Sequence, residues 1–346
     1  MSSAAPLGIG VIGLGHWGPN HVRVFGHTPG ARVVAAADPS EDRRRHVSNL
    51  YHDVTLVASA ADVLVRDDVD AVVIATPART HFELAQAALE AGKHVLLEKP
   101  MCTSLTDARA LLATAQAADR VLMHGHVFVY NAGVRYIRDG LRRGEFGAAQ
   151  YVHATRTNLG PIRQDVNVVE DLATHDITIF DYLFDGSPVW VAATGSCLLG
   201  TDREDVAFVT LAYGESTLAH VHVSWLNPQK VRALTVVGSQ RMVVWDDMQP
   251  LEPVRVYDKG LMEEPYYDSF GEFQLRLRDG DIVIPKINSQ EPLKVQAAAF
   301  VRRLTTGEPT PSEGAAGLRL VACLDAIRES LNAEGRRVVP SCEIPA

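Results

Sequence analysis

Residues 7–18 read LGIGVIGLGHWG, an apolar run followed at once by a glycine-rich turn. The run has the length and composition of a strand that is buried on both faces. Gly13, Gly15 and Gly18 have the G-x-G-x-x-G spacing, which permits a tight turn, a close approach of the backbone to a pyrophosphate, and close packing of a helix on a strand. The stretch therefore predicts the strand, turn and helix N-terminus that open a dinucleotide-binding fold.

An acidic residue at the end of the second predicted strand is the next feature of this fold. Asp38 follows an apolar run at 32–37, twenty residues after Gly18. A carboxylate at this place binds the adenosine ribose hydroxyls and repels a 2′-phosphate, so it favours NAD over NADP. Two alternatives stay open. Asp38 is also suited to cap the next helix, and the basic run 43–45 could favour NADP, although such a run is typical of a solvated helix face.

Apolar runs alternate with amphipathic stretches up to about residue 124. Short connections and strands without polar alternation predict a doubly wound parallel sheet covered by helices. The predicted strands of this half are Leu7–Ile12, 32–37, 54–57, 71–75, His94–Leu97 and 121–124, and its clearest helices are 79–90 and 104–118.

The pattern changes after Gly125 to alternation with a period of two residues. Such alternation is typical of an antiparallel sheet with one covered face and one free face. The predicted strands are 150–156, 189–194, 207–212, 216–225, 233–237 and 241–245, and the predicted helices are 168–184, 293–305 and 315–331. We therefore expect an α/β chain with a Rossmann half and a second half built on another kind of sheet.

The composition excludes several classes of protein. The chain has 346 residues, of which 47% are hydrophobic and 22% charged, values of an ordinary globular protein long enough for two domains. Its formal charge of −9 argues against nucleic acid or an anionic membrane as a partner. Four scattered cysteines, the lack of a signal-peptide pattern and the lack of a membrane-length apolar run predict a cytoplasmic protein, and no ligand spacing predicts a metal.

Candidate catalytic residues lie in both halves. Lys99 belongs to Glu98-Lys99-Pro100 at the end of a predicted strand, where ligands bind in open α/β sheets, and its ammonium can stabilise a developing oxyanion. Asp171 and His175 are four residues apart on a predicted helix, so they share one face. A carboxylate beside an imidazole orients the ring and raises its basicity. Taken singly, each has an ordinary alternative, an exposed lysine after a strand or a surface pair on a helix.

Together with Thr76-Pro77 and His81, these motifs resemble the Gfo/Idh/MocA oxidoreductases over nearly the whole chain. The resemblance implies an NAD-binding Rossmann domain over 1–124. It implies a substrate-binding and oligomerisation domain over 125–346, built on a large, mostly antiparallel sheet. Because the free face of that sheet commonly makes oligomer contacts in the family, we expect a homodimer or homotetramer.

The resemblance also implies roles for the matched residues. In the catalytic group Lys99, Asp171 and His175, the histidine accepts the hydroxyl proton as hydride leaves the same carbon. The lysine stabilises the alkoxide, and the aspartate positions the base or a substrate hydroxyl. The residues implied in cofactor binding are Gly13, Gly15, His16, Trp17, Gly18, Asp38, Thr76, Pro77, His81, Glu98 and Lys99.

Within the family, residues 158–176 resemble the nucleotide-sugar 3-dehydrogenases that act on UDP-N-acetylglucosamine or its uronic acid. Guanidinium forks suit a carboxylate or a diphosphate, and amides suit sugar hydroxyls or an N-acetyl group. The residues expected to bind substrate are Lys99, Arg156, Asn158, Arg163, Asn167, Asp171 and His175.

The two arginines have an alternative interpretation. Arg156 and Arg163 could pair with nearby acids such as Asp165 and Glu170 instead of contacting a substrate. From the sequence alone, substrate contact and pairing with nearby acids are about equally favoured.

These observations predict an NAD-dependent sugar oxidoreductase. We expect hydride transfer between C3 of a nucleotide-activated hexose and nicotinamide, in the making of a modified sugar. An inositol or free-sugar dehydrogenase and a dTDP-3-ketosugar reductase are the alternatives among enzymes. A non-catalytic dinucleotide-binding regulator is the alternative from another class, and it would be expected to lose Lys99 or His175.

Overall fold

A computed structural model describes residues 5–164, 166–263 and 275–342. It divides into two compact units. The first unit runs to Tyr130 and also includes Gln290–Asp325 and Cys342, whereas the second consists of Asn131–Ser289 and Ala326–Ser341. The first division lies a few residues beyond the predicted boundary at 124/125. The return of the chain to the first unit near its end differs from the predicted partition.

The first unit is built on six strands, β1 (Leu7–Ile12), β2 (Ala31–Ala37), β3 (Thr55–Val57), β4 (Ala71–Ile74), β5 (His94–Leu97) and β6 (Leu122–His124). Their order in the sheet is β3-β2-β1-β4-β5-β6, and all neighbours pair in parallel. This confirms the predicted doubly wound parallel sheet. The order reverses between β1 and β4, the place where open α/β sheets form a ligand crevice.

Five helices connect these strands, α1 (Gly18–Gly26), α2 (Glu41–Ser48), α3 (Ala60–Leu64), α4 (His81–Glu90) and α5 (Leu105–Ala117). The central strands have the continuous apolar character of a sheet covered on both faces. In β4, for example, Val72, Val73 and Ile74 have no exposed surface. Ser104 caps α5 by accepting a hydrogen bond from the Asp107 N–H, which explains why that helix begins where it does.

The helix α8 (Pro292–Thr306) belongs to the first unit because it packs on α1. Phe300 of α8 meets Phe25 edge to face, with 6.2 Å between the ring centroids. Arg23 of α1 donates to Glu291, the residue directly before α8, with 3.1 Å between Nη1 and Oε2. These contacts join segments more than 260 residues apart, so local sequence patterns do not reveal them.

The second unit is built on eight strands, β7 (Ala149–Leu159), β8 (Trp190–Ser196), β9 (Val206–Tyr213), β10 (Thr217–Ser224), β11 (Leu226–Gly238), β12 (Met242–Asp246), β13 (Val254–Glu263) and β14 (Leu275–Val283). Their order is β14-β13-β12-β11-β7-β10-β9-β8. β7 and β10 pair in parallel and the other neighbours pair antiparallel. The mostly antiparallel sheet is confirmed, although β13 and β14 were not among the predicted strands.

The helices of the second unit are α6 (Ala132–Arg142) and α7 (Thr174–Phe184), while α9 (Gly314–Asn332) begins in the first unit and ends in the second. A π-helical turn at Val169–Ala173 directly precedes α7. The single helix predicted at 168–184 is therefore two helical segments with different periods. Within the described residues, no helix is both long enough and apolar enough to cross a membrane.

Two buried histidines at the end of β6 make the stability of the first unit depend on pH. Burial lowers the pKa of His124 to about 4, against a smaller opposing effect of the Gly314 backbone. Burial, and then the neighbouring His124, lowers the pKa of His126 to about 3. Both rings stay neutral in the folded chain while the unfolded chain protonates them near pH 6.5, so stability falls as the pH drops from about 6.5 towards 4.

We predict that His124→Leu removes about 2 kcal/mol of the stability loss between pH 7 and pH 5, because its ring no longer titrates on unfolding. Urea unfolding at both pH values measures this, with the exposed His52→Leu as the control. An unchanged pH dependence in His124→Leu would contradict the assignment.

Candidate active site

The parallel sheet places four predicted site residues at one edge. Gly13 follows β1, Asp38 follows β2, Thr76 lies two residues beyond β4 and Lys99 lies two residues beyond β5. Because all six strands run in one direction, these residues share the carboxyl edge of the sheet. The first unit therefore gathers the predicted cofactor residues at the edge where ligands bind in this fold.

The glycine-rich turn fits a pyrophosphate. Gly13 has a φ of +93°, and a Cβ there would lie 2.8 Å from the main chain of Ala75. A Cβ at Gly18 would collide with the carbonyl oxygen of Gly13, so α1 packs close to the turn. A Cβ at Gly15 would meet nothing within 4 Å, so the turn is open at the position where a phosphate would approach the backbone.

The carboxylate of Asp38 is buried beside this turn, with 3% of the residue exposed. Its Oδ2 accepts the Leu14 N–H at 2.8 Å, and its Oδ1 accepts the Ser40 N–H at 2.9 Å. The N-cap of α2 is Ser40, so capping is not the role of Asp38. Arg43 lies 3.4 Å from Oδ2 with an exposed side chain. A second anion at this place, such as a 2′-phosphate, would face a buried negative charge.

His16 and Trp17 lie in the turn itself. Their rings meet edge to face with 5.4 Å between centroids, and the Trp17 side chain is exposed. An exposed indole in this turn has no part in the core of the first unit. His16 and Trp17 are therefore accessible to a ligand bound at the turn.

The carboxylate of Glu98 is held from two sides. Its Oε1 lies 2.8 Å from Nε2 of His21 in α1, and its Oε2 accepts the Lys99 N–H at 3.2 Å. Burial raises the pKa of Glu98, but the hydrogen bond and charge of His21, with those of Lys99, outweigh it and lower the pKa. Glu98 is therefore an anion next to Lys99. The sequence reasoning missed His21, and its only local signal is a histidine on the buried face of α1.

His81 lies between two loops of the carboxyl edge. Its Nδ1 is 2.7 Å from the carbonyl oxygen of Pro100, and its Nε2 is 2.9 Å from that of Thr76. The residue is buried. Both ring nitrogens of His81 therefore face main-chain oxygens of the protein. A cofactor contact of this residue stays a prediction.

Asp171 and His175 lie in the second unit on consecutive helical turns. Asp171 is in the π-helical turn and His175 is in the first turn of α7. The indole N–H of Trp225 donates to Oδ2 of Asp171 at 3.2 Å, and Nη1 of Arg163 is 3.8 Å from its Oδ1. π-Helical turns occur frequently at functional sites. The Asp171 carboxylate therefore has a hydrogen-bond donor on one oxygen and a guanidinium near the other.

Arg156 is held by a buried acid. Its Nε and Nη2 donate to the two carboxylate oxygens of Asp176 at 2.7 and 3.1 Å, and both side chains are 2% exposed. This fork occupies the guanidinium edge that would bind a diphosphate, so the structure does not support the expected substrate contact of Arg156. Of the two acids suggested as partners, one is seen with another arginine and the other is untested. Glu170 pairs with Arg328, and Asp165 lies outside the described residues.

The two asparagines expected at the substrate have partners within the chain. Nδ2 of Asn158 donates to the Gly160 carbonyl oxygen at 2.6 Å. Oδ1 of Asn167 accepts the Glu170 N–H at 3.0 Å, and its Nδ2 donates to Glu204 at 2.8 Å. The Glu170 carboxylate accepts the Asn167 N–H in return, which is the reciprocal pattern of a capping box. Asn167 therefore starts the helical segment that carries Asp171. A substrate contact of its amide stays a prediction.

Comparison with known proteins agrees with the two-part organisation. Residues 7–126 match the model described as an oxidoreductase family with an NAD-binding Rossmann fold, and residues 134–244 match the GFO/IDH/MocA C-terminal domain. The chain belongs to the Gfo/Idh/MocA family. It is an NAD-binding oxidoreductase of that family, whose relatives include named sugar and inositol dehydrogenases.

Three similar proteins illustrate what the chain resembles. The UDP-N-acetylglucosamine 3-dehydrogenase of Acidithiobacillus ferrooxidans is 27% identical over 94% of this chain and 97% of its own. Its solved structure covers 95% of this chain and 99% of its own with a TM-score of 0.79 at 26% identity. The myo-inositol 2-dehydrogenase of Thermotoga maritima is 25% identical over 93% of this chain and 96% of its own. GenD2 from gentamicin A biosynthesis, solved with NAD, shares the fold at 23% identity, with a TM-score of 0.81 and coverage of 99% and 98%.

We predict that Arg156→Met destabilises the second unit by about 3–5 kcal/mol, because it leaves the Asp176 carboxylate buried without its cation. The more exposed Arg203→Met is the control, expected within about 0.5 kcal/mol of the natural chain. Urea unfolding measures both. Equal stabilities of the two variants would show that the buried pair does not anchor this unit.

Proposed function

We propose that this oxidoreductase transfers hydride between C3 of a nucleotide-activated hexose and NAD, in the making of a modified sugar. The substrate would be UDP-N-acetylglucosamine, its uronic acid or a close relative. The similarity over nearly the full length of both chains to a UDP-N-acetylglucosamine 3-dehydrogenase carries this proposal. The presence of Lys99, Asp171 and His175 at the matching motifs supports it.

The described residues fit NAD. When bound, the cofactor supplies the hydride acceptor. The open position at Gly15 and the N-terminus of α1 suit the pyrophosphate, and the buried carboxylate of Asp38 suits the diol of an adenosine ribose better than a 2′-phosphate. We therefore propose NAD rather than NADP. The residues proposed to hold it are Gly13, Gly15, His16, Trp17, Gly18, Asp38, Thr76, Pro77, Glu98 and Lys99.

His175, Lys99 and Asp171 have separate roles in proton transfer and charge stabilisation. In the oxidative direction, His175 takes the proton of the C3 hydroxyl while the C–H bond of the same carbon breaks and its hydride departs. The Lys99 ammonium stabilises the negative charge that develops on the oxygen. Asp171, as an anion held by Trp225, stabilises the imidazolium that forms on His175. In the reductive direction, His175 returns the proton to the alkoxide.

Arg163 is the arginine that we propose for substrate recognition. Its side chain is 42% exposed and lies beside Asp171, whereas the guanidinium of Arg156 is buried against Asp176. An exposed guanidinium suits a diphosphate or a uronate carboxylate. The similarity to a myo-inositol 2-dehydrogenase favours a second candidate, oxidation of a free polyol or sugar, which needs no such contact.

We also propose a homodimer or homotetramer in the cytoplasm. The free face of the eight-stranded sheet carries exposed apolar side chains on three neighbouring strands, Tyr151 on β7, Leu218 on β10 and Phe208 on β9. Tyr151 and Leu218 are directly opposite each other in the sheet, and exposed apolar groups on one face favour association. A second copy of this chain, packed on this face, would cover them.

We predict that Lys99→Met lowers kcat at least about 100-fold, because the alkoxide loses its stabilising charge, while the Kd for NAD stays within about twofold. Steady-state assays of NADH formation and titration of bound NADH fluorescence measure the two quantities. Lys294→Met, an exposed lysine of the first unit, is the matched control. Full turnover in Lys99→Met would contradict the catalytic assignment.

A substrate panel tests the sugar. We predict NADH formation from NAD with UDP-N-acetylglucosamine or its uronic acid and none with free glucose or myo-inositol, and weaker activity with NADP in place of NAD. Arg163→Ala should then raise KM for the nucleotide sugar by about 10- to 100-fold, the loss of one charged hydrogen bond, with less change in kcat. Activity with myo-inositol alone would move the function to the second candidate.

A further inference from the structure

Two buried histidines contact the residues on either side of Lys99. His21 approaches from α1 and reaches Glu98, the residue before the lysine. His81 lies at the start of α4 and reaches Pro100, the residue after it. The turn that carries Lys99 is therefore contacted on both sides, by His21 at Glu98 and by His81 at Pro100.

The contact of His21 restrains the turn through the carboxylate of Glu98. The Nε2 of His21 and the Oε1 of Glu98 are 2.8 Å apart, and the other oxygen of Glu98 accepts the Lys99 N–H. A Cβ at Gly125 would lie 2.8 Å from Oε2 of Glu98, so this carboxylate also fills the space beside β6. A buried carboxylate with a donor on each oxygen has one low-energy position, and the Lys99 backbone is tied to it.

The contact of His81 restrains the turn through the main chain. Its ring bridges the carbonyl oxygens of Pro100 and Thr76, which follow β5 and β4. A neutral imidazole donates to one of these oxygens, and an imidazolium donates to both. Burial lowers the pKa of His81, while the two carbonyls and the charge of Glu98 oppose this shift. A neutral ring therefore hydrogen-bonds one of the two loops and packs against the other, and only the imidazolium hydrogen-bonds both.

We propose that His21 and His81 are positioning residues that together hold the Glu98-Lys99-Pro100 turn, and so fix the point from which the Lys99 ammonium acts. This inference rests on the proposed function, in which Lys99 stabilises the alkoxide. Lysine has a long flexible side chain, so its reach is defined only if its backbone is fixed. A displacement of about 1 Å at a reacting group can cost about 100-fold in rate.

The test compares variants with and without a side-chain donor. His21→Leu and His81→Leu remove the donor, and His21→Gln and His81→Gln restore an amide N–H. His94→Leu is the matched control, because His94 lies at the opposite end of β5, where its Nδ1 accepts the Val121 N–H at 3.0 Å. A general loss of folding would affect this control as well, and the Gln variants keep a polar group in each site.

Two readouts are measured on the full chain. The first is kcat and the Kd for NAD. We expect both Leu variants to lower kcat about 10- to 100-fold with the Kd for NAD little changed, the Gln variants to recover part of it, and His94→Leu to remain near the natural chain. The second is the labelling of Lys99 by limiting acetic anhydride relative to Lys294, followed by mass spectrometry. This ratio should change in both Leu variants and remain unchanged in His94→Leu.

The two proposals fail in different ways. If Lys99→Met is inactive but the Leu variants keep both kcat and the Lys99 labelling ratio, positioning by the histidines is overturned and the proposed function stands. If Lys99→Met is fully active, or no sugar is turned over, the proposed function fails, and the labelling ratio alone decides whether the histidines hold the turn. A loss of kcat equal in the Leu and Gln variants, with unchanged labelling, would also overturn the inference.

Discussion

Because β1 to β6 all run in the same direction, every one of their carboxyl ends lies along one edge of the sheet. The proposed cofactor site depends on this common strand direction. It gathers Gly13, Asp38, Thr76 and Lys99 from stretches that are far apart in the chain. Loops at such an edge would be free to separate, and the buried ring of His81 links two of them.

In the second unit, a buried ion pair holds a helix against the sheet. Arg156 of β7 forks onto Asp176 of α7, the residue directly after His175. Because the pair is buried and bidentate, it fixes the first turn of α7 against the sheet. An arginine that resembles a substrate contact in the sequence thus anchors the helical turn that contains His175. The π-helical turn then presents Asp171 to Trp225 and Arg163.

The parts of the structure that follow from local pattern could be predicted, and those that follow from distant pairing could not. The glycine turn, Asp38 and the parallel strands are visible in apolar runs and short spacings. The partner of Arg156 is twenty residues away on another element, and the partner of His21 is 77 residues away. The return of α8 to the first unit likewise depends on tertiary contacts. For the same reason, motif resemblance identified the family but did not reveal the partners that Arg156, Asn158 and Asn167 have within the chain.

The most direct test of hydride transfer at C3 is to trace the hydrogen atom of that carbon. UDP-N-acetylglucosamine, or its uronic acid, labelled with deuterium at C3 is incubated with the natural chain and NAD, and the reduced cofactor is analysed by mass spectrometry. The proposed function predicts that deuterium moves from C3 into the reduced cofactor, and that substrate labelled at C4 transfers none. Reduced cofactor that carries no deuterium from C3, or that carries it from C4, would contradict hydride transfer at C3.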